Sequence, residues 1–267
     1  MDLFARELGF AILGSGSTGN AAVVWSGDDA VLVDCGLSAR RVLDGLGQLG
    51  LSARKLRAVL LTHEHTDHVG GVDVLARRLR LPVYCTDGTR RGLTVGNDIE
   101  LRTLVAGRAI RVGALDVESF RVPHDTGDPV GFVVGVGVHR VGFATDMGSV
   151  RPSVVNVLRT CRAVILEFNH DLHMLRHGTY PGFLKDRVES DRGHLSNRQA
   201  SSLLAQALEG DSRIEHVLLA HLSEQNNRPE LALAAARHAL DAAGREPRLD
   251  VLESAVVAGP FLLSDRA

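Results

Sequence analysis

Short apolar segments rich in β-branched residues recur along the chain and dominate its hydrophobic pattern. Each is four to nine residues long and is bounded by Gly, Asp or Ser, which favours strands over helices. The predicted strands are 10–13, 21–25, 30–33, 58–61, 130–138, 141–144, 163–166 and 216–220. Short polar turns such as residues 26–29 join the early strands, so we expect these strands to pair as hairpins.

Helical patterns follow the first strands and return in the second half of the chain. Residues 38–49 place their apolar side chains on one stripe, which predicts an amphipathic helix. Residues 196–199 read Ser-Asn-Arg-Gln, a capping box that opens a helix to about Leu208. Another helix is predicted from Pro229 to about Ala243, with a glycine as its stop. Antiparallel strands come first along the chain, and strands mixed with helices follow. This order predicts an α/β fold of two packed sheets with outer helices.

The composition is that of an ordinary globular protein. With 267 residues, 45% hydrophobic and 23% charged, the chain is expected to form one domain over 1–267, and disordered and collagen-like classes are excluded. No apolar run reaches the roughly 18 residues that cross a bilayer, so no membrane partner is expected. Three widely spaced cysteines, and a start containing Asp2 and Glu7, favour a cytoplasmic protein without a disulfide framework or signal peptide.

The charge is nearly balanced, with a net charge of −2 when histidine is neutral. This excludes a broad basic face of the kind that grips nucleic acid along its length, but it allows a local basic patch. Twelve histidines are the unusual feature of the composition, and they direct attention to metal chemistry.

The densest group of metal-ligand residues is the histidine loop, residues 62–68, which reads Thr-His-Glu-His-Thr-Asp-His directly after a predicted strand. In an extended loop His63 and His65 project to the same side and can hold one ion, while Asp67 and His68 turn towards a neighbouring point. Imidazole and carboxylate ligands favour zinc, with iron or manganese as alternatives. The helical HExxH motif of metalloproteases is absent.

The histidine loop resembles the HxHxDH motif of the metallo-β-lactamase superfamily, and four further motifs of that superfamily match in order. They are Asp34 after an early strand, His124 after Pro123, Asp146 after the strand 141–144, and His221 after the strand 216–220. The resemblance implies a four-layer αβ/βα sandwich of two mixed sheets with outer helices.

The resemblance also implies a site for two divalent ions. One ion would be held by His63, His65 and His124, and the other by Asp67, His68 and His221, with Asp146 between them. Asp34 is expected to orient ligands by hydrogen bonds rather than to bind metal. Two such ions share a water, so that a metal-bridging hydroxide acts as the nucleophile. We expect Asp67, Asp146 and His194 to be the catalytic residues, with His194 able to bind the scissile phosphate or to protonate the leaving group.

Four segments resemble the YycJ/WalJ-like branch of this superfamily. They are residues 14–20, 167–171, 193–197 and 221–227. That branch implies a phosphodiesterase, specifically a 5′-exonuclease on DNA rather than RNA. Asp146 stands where dinuclear lactamases carry Cys, and His65 stands where flavodiiron proteins carry Glu. The 75 positions from Asp146 to His221 are too few for an inserted β-CASP domain.

Candidate substrate-binding residues lie in these same segments. They are Ser15, Ser17, Asn20, His170 and His194. The glycine-rich loop 14–20 can offer backbone N–H groups to an anion, and His194 precedes a helix N-terminus, which suits a phosphate oxygen. His170, His173 and His177 have the spacing of one helical face, without an assigned role.

Two other functions remain open at this stage. A glyoxalase-II-like thioester or lactone hydrolase also uses a bridging aspartate, and a non-catalytic binding module could retain the metals. The sequence does not decide which metal is native or whether the substrate is DNA, RNA or a small molecule. It also leaves open the cleavage polarity, the processivity and the oligomeric state.

Overall fold

The eight predicted strands all form in the computed structural model, which describes residues 7–254 and 256–265. Six more strands accompany them within those residues. The fourteen are β1 (Leu8–Gly14), β2 (Ala21–Ser26), β3 (Asp29–Val33), β4 (Leu56–Leu60), β5 (Val83–Thr86), β6 (Leu101–Leu104), β7 (Ala109–Val112), β8 (Leu115–Arg121), β9 (Val130–Val136), β10 (His139–Ala144), β11 (Ala163–Glu167), β12 (His216–Ala220), β13 (Arg248–Val251) and β14 (Ala258–Leu263).

The three predicted helices form close to their expected bounds. The helices of the described residues are α1 (Ala39–Gln48), α2 (Thr66–Val69), α3 (Val72–Leu79), α4 (Asp87–Gly92), α5 (Pro152–Leu158), α6 (Leu172–His177), α7 (Gly182–Glu189), α8 (Asn197–Leu208) and α9 (Pro229–Ala243). Ser196 caps α8 with the predicted box: its hydroxyl accepts from the Gln199 backbone N–H, and the Gln199 side-chain oxygen accepts from the Ser196 backbone N–H. Helix α9 ends at Ala243 and is capped by Gly244, whose φ of 60° lies in the left-handed region that glycine adopts most readily.

The strands form two seven-stranded mixed sheets. Their orders are β14-β1-β2-β3-β4-β5-β6 and β13-β12-β11-β10-β9-β8-β7. The antiparallel pairing of β1 with β2 and of β2 with β3 confirms the predicted early hairpins, whereas β3 to β6 run parallel. A change from antiparallel to parallel strands within a sheet is common where helical crossovers follow hairpins.

Two compact units divide the described residues. The first comprises 7–119, 126–140 and 256–265, and the second comprises 120–125 and 141–254. In the first unit the apolar stripe of α1, which includes Val42 and Leu46, packs with Leu75 of α3 and with inward residues of the sheet. The organisation of 1–267 as one domain stays a prediction.

The second unit places chemistry at the ends of neighbouring strands. β10, β11, β12 and β13 are successive parallel neighbours, so their carboxyl ends lie at one edge. Helix α8 packs against α5 and α9 through its buried apolar residues. None of the helices in the described ranges has the length and apolar character that a membrane span requires.

Candidate active site

The histidine loop leaves β4 in the first unit and leads into the short helix α2. His63 and His68 are buried, and His65 is half-buried. The Nε2 atom of His63 lies 3.2 Å from Nδ1 of His65, and the rings of His63 and His68 are 4.1 Å apart. The loop brings His63 and His65 together, as its spacing predicts, and it also places the His68 ring against that of His63.

Asp34, at the end of β3, determines how two of these imidazoles are presented. Its carboxylate accepts from the backbone N–H and the hydroxyl of Thr62 and lies 2.8 Å from Nδ1 of His68. Since the Thr62 hydroxyl donates to Asp34, it can only accept at its 3.0 Å contact with Nδ1 of His63. Both Nδ1 atoms therefore carry protons, and Nε2 of His63 and of His68 offers a lone pair, as a metal requires.

Asn20 connects the glycine-rich loop to the same group. Its side-chain oxygen accepts from the Gly16 backbone at 2.8 Å, and its Nδ2 lies 3.0 Å from Nε2 of His68. The Asn20 backbone N–H donates to the Asp67 carbonyl at 2.7 Å. Ser15 is buried and Ser17 is exposed, so the three candidates of this loop have different surroundings. Asn20 holds the shape of the loop beside Asp67 and His68.

The second unit assembles its polar residues at the carboxyl ends of β10, β11 and β12. Asp146 follows β10, Glu167 ends β11 and His221 follows β12. Together with His194, these residues place one potential ligand atom each within 4.8 Å of one another. Nε2 of His221 lies 3.5 Å from an Asp146 oxygen. Carboxylate and imidazole atoms converging in a buried place are a fitting donor set for a divalent ion.

Glu167 is a fully buried carboxylate to which the sequence analysis assigned no role of its own. It accepts from the backbone N–H groups of Met147 and Leu195 at 2.9 and 3.2 Å. Its other oxygen lies 2.7 Å from Nδ1 of His194. Burial opposes its ionisation, but the charge and hydrogen bond of His194, with that of His221, hold the pKa of Glu167 below its usual value. Glu167 is therefore an anion that orients His194.

His124 lies in the loop after β8 and is buried. Its Nδ1 is 3.0 Å from the Gly193 carbonyl, so that atom carries a proton and Nε2 offers its lone pair, 3.9 Å from Asp146. Burial lowers the pKa of His124 and favours the neutral imidazole, which is the form that binds metal.

His194 and His170 have different environments although both were predicted to face substrate. The His194 side chain is 20% exposed, and its ring stacks on that of His221 at 5.3 Å. His170 is fully buried, so substrate cannot touch it in this conformation. The prediction of one helical face for His170, His173 and His177 is wrong for His170. Asp171 caps α6 and the helix begins after it, while the His173 and His177 rings lie 4.2 Å apart and are tilted by 31°.

Buried asparagines hold the loops that carry these residues, a role that the sequence did not reveal. The Nδ2 group of Asn169 donates to the His221 carbonyl at 3.0 Å. The Nδ2 group of Asn227 donates to the Phe168 carbonyl at 2.8 Å and lies 2.9 Å from the Asn197 side chain. The sequence did contain a signal that could have pointed to this role, because all three asparagines lie in segments that resemble the YycJ/WalJ-like branch.

Comparison with known proteins identifies the class. The family described as the beta-lactamase superfamily domain matches residues 29–221. The metallo-β-lactamase fold protein YhfI of Bacillus subtilis superposes with a TM-score of 0.72 at 18% identity, covering 97% of this chain and 99% of that one. The chain belongs to the metallo-β-lactamase superfamily and is a metal-dependent hydrolase, with the predicted αβ/βα sandwich of two mixed sheets and outer helices.

Within the superfamily the chain is YycJ/WalJ-like. It is 35% identical to exodeoxyribonuclease YycJ of Bacillus anthracis over 241 residues, which cover 89% of this chain and 90% of that protein. It is 33% identical to exodeoxyribonuclease WalJ of Streptococcus pneumoniae over 234 residues, which cover 85% and 86% of the two chains. The branch predicted from four sequence segments is confirmed.

Proposed function

We propose that this chain is a 5′-exonuclease acting on DNA, with two divalent ions in its active site. The observation that carries the proposal is the similarity over nearly nine tenths of the chain to a protein named as an exodeoxyribonuclease. The metal-ligand residues within each unit support it, because each unit taken by itself holds buried imidazole and carboxylate groups at its strand ends.

The ligand roles that we propose are those the family resemblance implies. His63, His65 and His124 hold one ion, and Asp67, His68 and His221 hold the second, with Asp146 shared. When bound, the ions supply Lewis-acid activation of water and of the phosphate, with zinc the first candidate and manganese or iron the alternatives. Asp34 keeps the two imidazoles it controls in the tautomer that can bind.

His194 is proposed to hold a proton at the leaving oxygen. The Glu167 carboxylate accepts the proton on Nδ1 of His194, and when the ring is in its doubly protonated imidazolium form Nε2 is the atom left to give a proton to substrate. Phosphodiester cleavage expels an alkoxide, which needs that proton. A thioester expels a thiolate, whose thiol has a pKa of about 8.5, and needs little help. The Glu167–His194 pair therefore favours a phosphodiesterase over the thioester hydrolase, whereas a lactone, which also expels an alkoxide, is not separated on this ground.

The decisive experiment offers the zinc- and manganese-loaded protein a panel of substrates. The panel contains 5′- and 3′-labelled single-stranded and duplex DNA, matched RNA, bis(p-nitrophenyl) phosphate and a glutathione thioester. We expect mononucleotides to be released from the 5′ end of DNA. Thioester turnover without phosphodiester cleavage would refute the proposal, and preferred RNA cleavage or 3′ release would correct its finer part.

Two variants connect the activity to the site. Asp146→Asn is expected to abolish cleavage of every substrate, since it removes the shared carboxylate ligand. His194→Ala is expected to slow DNA cleavage by about 10²–10⁴-fold, the usual contribution of a general acid. The rate of bis(p-nitrophenyl) phosphate cleavage should fall much less, because nitrophenolate leaves without protonation. If His194→Ala instead loses bound metal, then His194 is a ligand.

A further inference from the structure

Helix α6 places two histidines, the histidine pair His173 and His177, side by side on its outer face. Both residues are exposed, and their ring centroids lie 4.2 Å apart. They are four positions apart, which is the spacing that brings two side chains onto one face of a helix. Leu175, the buried residue of α6, lies two residues from each, about half a turn away, so α6 packs through the opposite face. The two imidazoles therefore face away from the core.

The nitrogen lone pairs of the histidine pair are available to a ligand. Nδ1 of His177 lies 2.9 Å from the backbone carbonyl of His173, and since a carbonyl only accepts, Nδ1 carries the proton. The lone pair of that neutral ring is then on Nε2. In the part of the chain that the structure describes, Nε2 of His177 and both ring nitrogens of His173 have no hydrogen-bond partner. The bond to Nδ1 orients the His177 ring, as such bonds do for metal-ligating histidines.

The charges around the histidine pair act in both directions on a cation. His177 is the last residue of α6, and the carboxyl end of a helix attracts positive charge. Lys185 donates from Nζ to the Arg176 carbonyl at 2.9 Å and opposes a further cation there. The Arg176 guanidinium is paired with the Glu189 carboxylate. The affinity for an ion therefore depends mainly on the two imidazoles.

Two neutral imidazoles select a transition-metal ion. Imidazole suits Zn²⁺, Ni²⁺ and Cu²⁺, whereas Mg²⁺ and Ca²⁺ take oxygen ligands. Zn–N bonds are about 2.0–2.1 Å long, so one ion joins nitrogens up to about 4 Å apart, which two adjacent rings can reach by side-chain rotation. Because the helix already holds the rings side by side, the second imidazole binds at a high effective concentration. Water would complete the coordination of an ion with two protein ligands.

We propose that His173 and His177 together bind one divalent transition-metal ion, with zinc the first candidate, on the outer face of α6. No ligand that we propose for the dinuclear centre lies on α6, so this is a separate site. The inference does not depend on which substrate the chain cleaves, and it can be tested whether or not the chain is a nuclease.

The test is a zinc titration of the zinc-loaded, untagged protein after dialysis has removed unbound metal. In isothermal titration calorimetry the wild type should bind one further equivalent. His173→Ala and His177→Ala should each weaken this step about 100-fold, since a single imidazole has no intramolecular partner. The matched control is His238→Ala, which removes the single, exposed histidine of α9 and should leave the step unchanged. Mg²⁺ in place of the added Zn²⁺ should give no such step.

Two further measurements check the variants. The tightly held zinc that remains after dialysis should be equal in all four proteins, because the histidine pair lies outside the active site. On an immobilised Ni²⁺ column, His173→Ala and His177→Ala should elute at a lower imidazole concentration than the wild type and His238→Ala.

Several outcomes would overturn the inference. One is a wild type that binds no further equivalent, and another is equal binding by the wild type and His177→Ala. Loss of the step in His238→Ala would place the ion elsewhere, and less tightly held zinc in His173→Ala would assign the pair to the active site. A zinc-dependent dimer in light scattering would show that the ligands come from two molecules rather than from one helix.

Discussion

Three strand-end residues of the candidate site have a left-handed backbone conformation. Asp34, Asp146 and His221 have φ values of 57°, 59° and 55°, and among the described residues Arg80 at the end of α3 is the other non-glycine residue with positive φ. Such a conformation is uncommon for residues with a Cβ and costs energy, more for His than for Asp. The surrounding hydrogen bonds maintain it, and it turns each side chain sharply out of its strand, towards the other polar groups.

Asp34→Asn separates the backbone role of Asp34 from its carboxylate role. Asparagine tolerates the left-handed conformation, so the fold should persist. The asparagine amide has one oxygen and one NH2 group, so it cannot accept hydrogen bonds at both of the positions that the Asp34 carboxylate oxygens occupy. The tautomers of His63 and His68 are then no longer enforced. We expect metal affinity to fall about 10–100-fold in a competition titration with a chelator. Wild-type affinity in this variant would contradict the orienting role of Asp34.

His170 is a buried imidazole whose two ring nitrogens have no hydrogen-bond partner within the described chain. Burial lowers the pKa of His170 to about 4, against the raising effect of the nearby Glu167 charge. The unfolded chain protonates this residue near pH 6.5, so the stability contributed by neutral His170 is present above that pH and is lost as the pH falls towards 4.

The predicted measurement is urea unfolding of the metal-free protein at pH 7.5 and pH 5. His170 should account for about 2 kcal/mol of the stability lost between these conditions. His170→Gln does not titrate, so its loss should be smaller than that of the wild type by this amount. Parallel losses in the two proteins would show that His170 protonates freely in the fold.

At the scale of elements, the loop after β3 and the histidine loop pack backbone against backbone. The Cys35 N–H donates to the His68 carbonyl at 2.8 Å, and the Gly71 N–H donates to the Cys35 carbonyl at 2.8 Å. A Cβ on Gly36 would lie 1.7 Å from the Asp67 carbonyl oxygen, which cannot move without breaking this packing. Glycine at position 36 therefore allows the two loops to meet.

Gly36→Ala should destabilise the fold by about 2–3 kcal/mol or more and weaken metal binding, since the histidine loop must shift. Gly47→Ala is the matched control. It lies in α1 with no atom within 4 Å of a new Cβ, so it should be neutral or should stabilise by up to about 1 kcal/mol. Thermal unfolding of both variants checks this, and equal midpoints would contradict the close-packing argument.

For the whole molecule, the net charge of −2 limits how DNA can be bound. The chain has no overall excess of positive charge, so any contacts with DNA phosphates must be few and confined to a small part of the surface. We take two or three phosphate contacts as the expected number, which sets a shallow salt dependence for single-stranded DNA.

That expectation is measurable as a slope. Affinity for a single strand should fall about tenfold between 50 and 200 mM salt, from a slope of about −0.7 for each phosphate contact. The dissociation constant of a labelled strand, measured by anisotropy in a metal-free buffer, checks it. A slope steeper than about −4 would require six or more contacts and would contradict so few phosphate contacts.

Several of the elements that the sequence missed were short or polar. Strands β6 and β7 have four residues each and are partly exposed, so they lack the apolar run that marked the eight predicted strands. Helices α6 and α7 were missed because their apolar positions make only a weak stripe, with one buried residue in each. Periodicity reports burial on one face, so elements that bury little leave little pattern.

The sequence by itself determined where eight of the strands lie along the chain, the capped helices, and the ligand-type residues at strand ends. These depend on neighbours within a few positions, so the signal is local. The tertiary structure decided which imidazole nitrogen is presented, that Glu167 orients His194, and that His170 is buried. Each depends on contacts between distant residues, such as Asp34 with Thr62, 28 positions apart, and Glu167 with His194, 27 positions apart. Hydrogen-bond partners and burial exist only once the chain has folded.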